Sequence, residues 1–193
     1  MSNKKELYFS LDIETDGQIP GEYSMLSLGL SALDTTGKEH GTFYINLKTL
    51  PGAGQNPSTM EWWKGFPEAW DAHRVDPQEP EVAMKQMNSW VREICGQTYA
   101  PVCVAMPAAF DFMFLYWYLI KFAGESSFGF SCIDMKTMAM TMKKAPYRES
   151  SKQHWPERWF SKLPHTHNAL DDAREQGQTF INMFKELANG KKN

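Results

Sequence analysis

The stretch LYFSLDIETDG, residues 7–17, combines an apolar run with a pair of carboxylates. Residues 7–13 predict a buried β-strand, and Asp16-Gly17 predicts a turn after it. Because side chains alternate along a strand, Asp12 and Glu14 leave the same face, while their apolar neighbours point into the core. The pair is consistent with two exposed charges at a strand edge and equally with one part of a metal-binding site.

Further strands are predicted on both sides of a long helical stretch. Residues 24–33 alternate apolar and small side chains, and residues 43–47 place apolar side chains on one face of a third strand. The short links between the first three strands indicate a meander. Two later strands, at residues 101–105 and 130–133, alternate with helices. We therefore expect an α/β fold with one mixed five-stranded sheet flanked by helices.

Five helices accompany these strands in the prediction, one of which follows the fifth strand and is capped by Asp134. The main ones cover residues 79–96, 108–123 and 168–188. A shorter one begins at a capping box over residues 58–61 and carries Trp62 and Trp63. For these two tryptophans, packing in the core is favoured over stacking on a nucleic-acid base.

Composition limits the class of protein. The 193 residues suffice for one domain with a sizeable core, and 42% hydrophobic residues exclude a disordered chain. A net charge of -3 and a pI near 6.0 argue against a general polyanion binder, so any nucleic-acid contact must be local or helped by metal ions. The three cysteines form neither a zinc-type pair nor a disulfide framework.

Membrane and secretion signals are not evident in the sequence. Residues 1–6 lack the apolar run of a signal peptide, and the apolar run at residues 112–120 is too short to span a bilayer. We therefore expect a cytoplasmic protein that does not associate with a membrane.

Two more carboxylates and a histidine complete the candidate site. Asp111 opens the apolar helix, where the helix dipole alone could account for an acid. Asn168 is suited to cap the last helix, and Asp171 can form a capping-box-like pair with it. Asp172 is then free to face the sheet, and His167 precedes the helix. Four carboxylates in one place would repel each other unless divalent cations, which prefer oxygen ligands, held them together.

The three motifs resemble those of the DEDDh branch of 3′-to-5′ exonucleases, which have an RNase H-like fold. Asp-x-Glu-Thr at residues 12–15 is similar to the first motif, Phe-Asp at 110–111 to the second, and His-x-Ala-x-x-Asp-Ala at 167–173 to the third. The resemblance spans about residues 7–188. The chain departs from the pattern at Pro107, where asparagine is frequent, and at Asp16, which we interpret as a turn residue.

The resemblance implies a single exonuclease domain over residues 1–193 and a metal-dependent hydrolase. Asp12 would bridge two Mg²⁺ or Mn²⁺ ions, Glu14 and Asp172 would complete one metal site, and Asp111 would act through water at the other. His167 would be the general base. The products would be nucleoside 5′-monophosphates released from the 3′ end of a single strand.

Substrate contacts are expected near these motifs and in the 143–164 segment, which is basic and aromatic and precedes His167. Cations and aromatic rings suit a single strand, although a solvated loop anchored by its aromatic residues is an equal alternative. The candidate contact residues are Thr15, Phe110, Lys143, Lys144, Arg148, Trp155 and Arg158.

The identity of the substrate is the least specific part of the prediction. RNA is favoured over DNA, and the sequence allows a homodimer. An oligoribonuclease-like enzyme for very short RNA is one alternative. A non-catalytic nucleic-acid-binding module on the same fold is another, and the intact set of carboxylates argues against it.

Overall fold

A mixed five-stranded sheet forms the centre of the computed structural model, which describes residues 4–190. Its order is β3-β2-β1-β4-β5. The β1–β2 and β2–β3 pairs are antiparallel, and the β1–β4 and β4–β5 pairs are parallel. This confirms the predicted meander and mixed sheet. The strands are β1 (Lys5–Thr15), β2 (Met25–Leu33), β3 (Glu39–Asn46), β4 (Tyr99–Ala105) and β5 (Cys132–Asp134).

Six α-helices flank the sheet in the described part of the chain. The end of the predicted 108–123 helix differs from the rest, because residues 119–123 form a single π-helical turn. No helix within residues 4–190 is both long enough and apolar enough to cross a membrane. The helices are α1 (Pro57–Trp63), α2 (Pro67–Ala72), α3 (Pro80–Cys95), α4 (Ala108–Tyr118), α5 (Met135–Lys143) and α6 (Ala169–Asn189).

The two faces of the sheet pack into separate hydrophobic cores. Leu7, Phe9 and Leu11 of β1 face α3 and α4 and are fully buried. On the opposite face, Tyr8 packs with residues of α5 and α6, including Phe180. The central strand is therefore covered on both sides. Asp12 and Glu14 belong by alternation to the α6 face, at the end of β1.

Helix α6 lies unusually close to β2 where the sheet has no side chain. Gly29 pairs with Asp12 in the β1–β2 register. A Cβ atom at Gly29 would lie 2.1 Å from the carbonyl oxygen of Ala169, the first residue of α6. Because the obstacle is backbone, a side chain at residue 29 would displace the start of the helix. The close approach at Gly29 therefore fixes where α6 begins relative to β1.

One predicted helix start was wrong. Ser58 does not cap α1; the side chain of Asn56 does, by accepting hydrogen bonds from the backbone N–H groups of Ser58 and Thr59. Pro57 at the first helical position is favourable, because its missing N–H would have no partner there. The cap thus lies two residues earlier than the capping-box pattern indicated.

We predict that Gly29→Ala lowers the free energy of unfolding by about 1–3 kcal/mol or more, the range for overpacking a rigid site. Urea unfolding followed by circular dichroism measures this. Gly54→Ala is the matched control, because a Cβ there would meet only a Tyr23 ring atom at 4.0 Å. Equal stability of the two variants would contradict the proposed contact between β2 and α6.

Candidate active site

Three carboxylates meet at the carboxyl end of β1. Asp12 and Glu14 come from β1 and Asp172 from the first turn of α6, and one oxygen of each lies within 4.8 Å of the others. Glu14 is 9% exposed and Asp172 only 2%, so water screens little of the repulsion between them. The structure thus brings together acids that lie on two distant stretches of the sequence.

Asp111 contributes a fourth carboxylate from α4. Asp134 anchors that helix, because its Oδ2 accepts a hydrogen bond from the backbone N–H of Ala108 at 3.0 Å. Asp134 also caps α5, as predicted, by accepting from the N–H of Thr137 at 2.7 Å. Asp111 is 4% exposed, and burial raises the pKa of its carboxyl to about 7. Its charge in turn raises the pKa of Asp12.

The electrostatics of this cluster fit a divalent cation. Burial, followed by the charges of the other carboxylates, raises the pKa of Asp12 and of Glu14 well above their usual values. A cation at the cluster would remove that repulsion, and hard cations prefer carboxylate oxygens. The four acids could therefore hold metal.

The backbone before α6 orients Asp172. Its Oδ1 accepts a hydrogen bond from the N–H of Thr166 at 2.7 Å, and its Oδ2 accepts one from the N–H of His167 at 2.9 Å. Asn168 caps the helix, as predicted. Asp171 is exposed and does not complete a capping box, because the N–H of Asn168 donates to Thr166 Oγ1 at 3.3 Å instead. Asp172 is therefore the buried member of the adjacent pair.

His167 lies beside the carboxylates on a strained backbone. Its φ of 60° is in the left-handed region, which is uncommon for residues other than glycine. Its ring centroid lies 4.2 Å from that of Phe66 and 5.0 Å from that of Trp62. Burial, and next the proximity of His165, lowers the pKa of the His167 ring against the opposing charge of Asp172. The imidazole is therefore neutral near pH 7 and can accept a proton.

The adjacent tryptophans of α1 have different environments. Trp63 is 2% exposed, and its indole N–H donates to the carbonyl oxygen of Thr15 at 3.0 Å, which ties α1 to the end of β1. Trp62 is 45% exposed and lies against His167. The favoured prediction of core packing is confirmed for Trp63 and is wrong for Trp62.

The loop after β1 holds Asp16 in a structural role. Asp16 is 1% exposed, and its Oδ1 accepts a hydrogen bond from the N–H of Ser24. Its carbonyl oxygen accepts from the N–H of Asn56 at 2.8 Å. The contact with Ser24 closes the β1–β2 connection, which agrees with the turn interpretation. The contact with Asn56 joins this connection to the residue that caps α1. The Thr15 hydroxyl is also used inside this loop, since it donates to the carbonyl oxygen of Gly17 at 2.7 Å.

Two residues predicted to contact substrate lie in other surroundings. Trp155 is 6% exposed and packs in the α5–α6 core, with its indole N–H donating to the carbonyl oxygen of Ser150 at 2.8 Å. Its ring is covered, so the prediction that it stacks on a base is wrong. Arg158 donates to both carboxylate oxygens of Glu186. Glu186 lies fourteen residues after Asp172 on α6, roughly 21 Å along the helix. The ion pair with Glu186 therefore holds the Arg158 guanidinium away from the carboxylate cluster.

The remaining candidate contacts differ in their surroundings. Lys143 donates to the carbonyl oxygens of Glu149 and His154, which anchors the segment to α5. Phe110 is half-buried against Phe114, with ring centroids 5.4 Å apart. Lys144 and Arg148 are exposed.

Lys152 is a residue that the sequence analysis did not single out. Its Nζ lies 3.1 Å from Oε2 of Glu175, whose side chain is 8% exposed. Its charge lowers the pKa of both Asp12 and Asp111. Lys152 is thus the basic residue of the 143–164 segment that acts on the carboxylate cluster. Its position in the sequence, among five other cations, gave no signal for this.

The fold agrees with solved structures of nucleases. The nuclease domain of 3′hExo, described as a DEDDh family member bound to rAMP, has a TM-score of 0.67 at 13% identity and covers 96% of this chain and 95% of that one. Pop2p of S. pombe, in a form with Mg²⁺ and Mn²⁺ bound, has a TM-score of 0.57 at 12% identity, with 96% and 86% covered. At these identities the likeness establishes the fold.

Fold and motifs together define a hydrolase of the nuclease class, a 3′-5′ exonuclease of the DEDDh type. The family model for the Rv2179c-like 3′-5′ exoribonuclease domain matches residues 8–184, and the chain belongs to that family. The chain is also 32% identical to the 3′-5′ DNA exonuclease Cap18 of Escherichia coli, over 100% of this chain and 98% of that protein.

We predict opposite outcomes for the two adjacent acids of α6. Asp172→Asn removes a buried carboxylate of the cluster and should abolish nuclease activity almost completely. Asp171→Asn changes an exposed charge and should keep substantial activity, with a loss of at most about 1 kcal/mol in stability. A nuclease assay and urea unfolding of both variants test this. The reverse pattern would mean that Asp171, and not Asp172, serves the site.

A second prediction concerns the pair formed by Lys152 and Glu175. Lys152→Met leaves the Glu175 carboxylate buried without its cation, so the free energy of unfolding in EDTA should fall by about 1–2 kcal/mol. The double variant Lys152→Met/Glu175→Gln should lose less than Lys152→Met alone. The same cycle on Lys48 and Glu79, which are 53% and 62% exposed, should give a coupling of at most about 1 kcal/mol. Equal coupling energies in the two cycles would mean that burial does not strengthen the Lys152–Glu175 pair.

Proposed function

We propose that this protein hydrolyses single-stranded nucleic acid from its 3′ end, one nucleotide at a time, and releases nucleoside 5′-monophosphates. The observation that carries the proposal is the convergence of Asp12, Glu14 and Asp172 within 4.8 Å, with Asp111 acting on the same cluster and His167 beside it. A binding module would gain nothing from burying mutually repelling acids, so catalysis is the better explanation.

The carboxylates of Asp12, Glu14, Asp111 and Asp172 are proposed to hold two Mg²⁺ or Mn²⁺ ions. Such ions would polarise the attacking water and neutralise the charge that develops on the departing 3′ oxygen. The chain itself supplies the ligands and their orientation. Asp172 is held by two backbone N–H groups, and Lys152 partly balances Asp12 and Asp111. The structure of the neighbour Pop2p, which has Mg²⁺ and Mn²⁺ bound, supports this choice of ions.

His167 is proposed to accept the proton that the attacking water loses. Its lowered pKa keeps the ring neutral, as a base requires. The ring lies against Phe66 and Trp62, and the backbone N–H of His167 donates to Asp172 Oδ2, which holds the residue next to the first turn of α6.

Substrate contacts are proposed at three exposed residues and at two residues next to the carboxylates in the sequence. Trp62, beside His167, offers an aromatic face for the terminal base. Lys144 and Arg148 are exposed cations for backbone phosphates, and Thr15 and Phe110 border the carboxylates in sequence. The 3′hExo nuclease domain, whose structure contains rAMP, supports a nucleotide site on this fold.

The sugar of the substrate has two candidates with separate support. The family description, an exoribonuclease, agrees with the RNA that the sequence favoured. DNA is the second candidate, because the relative Cap18 is a DNA exonuclease and matches the chain over its full length. Very short RNA is a narrower version of the first candidate. Discrimination would rest on contacts to the 2′-hydroxyl.

The test uses matched DNA and RNA strands of several lengths, labelled at the 5′ or the 3′ end and incubated with increasing Mg²⁺. A metal-dependent ladder of single-nucleotide steps is expected from 5′-labelled strands, and released mononucleotide from 3′-labelled ones. Asp12→Ala should abolish both products while remaining folded, and Asp171→Asn serves as the folded control. Binding without cleavage would contradict the proposal and favour a binding module.

We predict that His167→Ala lowers kcat by about 10² to 10⁴, the usual contribution of a general base. Mg²⁺ affinity, measured by calorimetry, and strand binding should change little. The pH profile should also lose its histidine-linked limb, because protonated His167 cannot accept a proton in the wild type. Turnover at the wild-type rate, or a loss of Mg²⁺ binding, would make His167 a structural residue or a ligand of Mg²⁺ instead.

A further inference from the structure

A second histidine, His165, adjoins the site and has no part in the proposed reaction. Its Nδ1 lies 3.2 Å from Oδ2 of Asp172, and its ring centroid lies 4.7 Å from that of His167. One donor atom from each of the three residues lies within 4.8 Å of the others. The side chain of His165 is 53% exposed, so solvent reaches this group directly.

The donor set differs from that of the four carboxylates. Two imidazoles and one carboxylate suit Zn²⁺, whereas Mg²⁺ prefers oxygen ligands alone. Ligand atoms of a tetrahedral zinc ion lie roughly 3.3 Å apart, given metal–ligand distances near 2.0 Å. The distance from His165 Nδ1 to Asp172 Oδ2 already has this value, and a ring nitrogen of His167 lies within 4.8 Å of a donor atom of each. The exposed side leaves room for water as a fourth ligand.

We propose that His165, His167 and Asp172 form a zinc site whose occupancy inhibits the enzyme. Asp172 is needed for the carboxylate cluster and His167 for proton transfer, so zinc held by both would remove both from their roles. The binding part of this proposal stands on the donor geometry alone, and the inhibitory part rests on the proposed nuclease function.

The backbone holds the three candidate ligands together. Residues 161–168 contain no helix or strand, but the N–H groups of Thr166 and His167 donate to the two oxygens of Asp172 and tie this segment to the first turn of α6. The imidazoles of His165 and His167 can still change rotamer on this held backbone, so they can adjust to the tetrahedral geometry of zinc.

The first test measures binding without substrate. Zn²⁺ is titrated into the metal-free wild type and into His165→Gln by calorimetry, with Co²⁺ as a coloured probe of nitrogen ligation and coordination number. His165→Gln should bind Zn²⁺ at least about 10-fold more weakly and lose the Co²⁺ absorption bands. His154→Gln, which changes an exposed histidine elsewhere in the described chain, should bind like the wild type. Equal zinc affinity in all three proteins would overturn the proposal.

The second test measures inhibition. Submicromolar to micromolar Zn²⁺ is added to the Mg²⁺-supported nuclease assay, and inhibition is expressed relative to the zinc-free rate of each protein. His165→Gln should require at least about 10-fold more zinc than the wild type for half-inhibition. Inhibition unaffected by His165→Gln would place zinc at the carboxylates and overturn the proposal. A wild type that binds zinc through His165 but never cleaves nucleic acid would instead contradict the proposed function, leaving the zinc site in place.

Discussion

Repulsion between carboxylates is the constraint on which the rest of this structure depends. Asp12 and Glu14 lie at the end of the strand that is buried on both faces, and two further helices add Asp172 and Asp111. Such a cluster costs free energy unless its charge is balanced. The chain balances part of it through backbone N–H groups and Lys152. The remainder is what makes the cluster attractive to cations.

Three contacts position the helices that surround the carboxylate cluster. Glycine at residue 29 lets α6 start directly over β1, which brings Asp172 to the strand. Asp134 fixes the start of α4 and therefore the position of Asp111. Trp63 ties α1 to the last residue of β1, and this leaves Trp62 and Phe66 next to His167. Each contact joins an element of the fold to one residue of the site.

Sequence patterns predicted the strands of the sheet and the faces on which Asp12, Glu14 and Asp172 lie, because these depend on local periodicity. Asp111, in contrast, was singled out by the resemblance to the exonuclease motifs. The alternation along β1 predicts a shared face for Asp12 and Glu14, and the cap at Asn168 gives the helix phase that buries Asp172. Contacts between residues that are far apart in the sequence could not be predicted from such local patterns. Lys152 meets Glu175 across 23 residues, and the covered ring of Trp155 depends on a core formed by distant helices. Nothing in their local composition distinguishes these two residues from their neighbours.

The covered tryptophans of the 143–164 segment have a consequence for association with a long, flexible ligand. Trp155 and Trp159 hold the segment against α5 and α6, and Lys143 ties it to two carbonyl groups. Its backbone has therefore lost most of its conformational freedom during folding. A polymer that touches the exposed side of this segment does not have to order it, so the entropic cost of association falls chiefly on the polymer. Preorganisation of this kind raises the affinity that a given set of contacts with the polymer can provide.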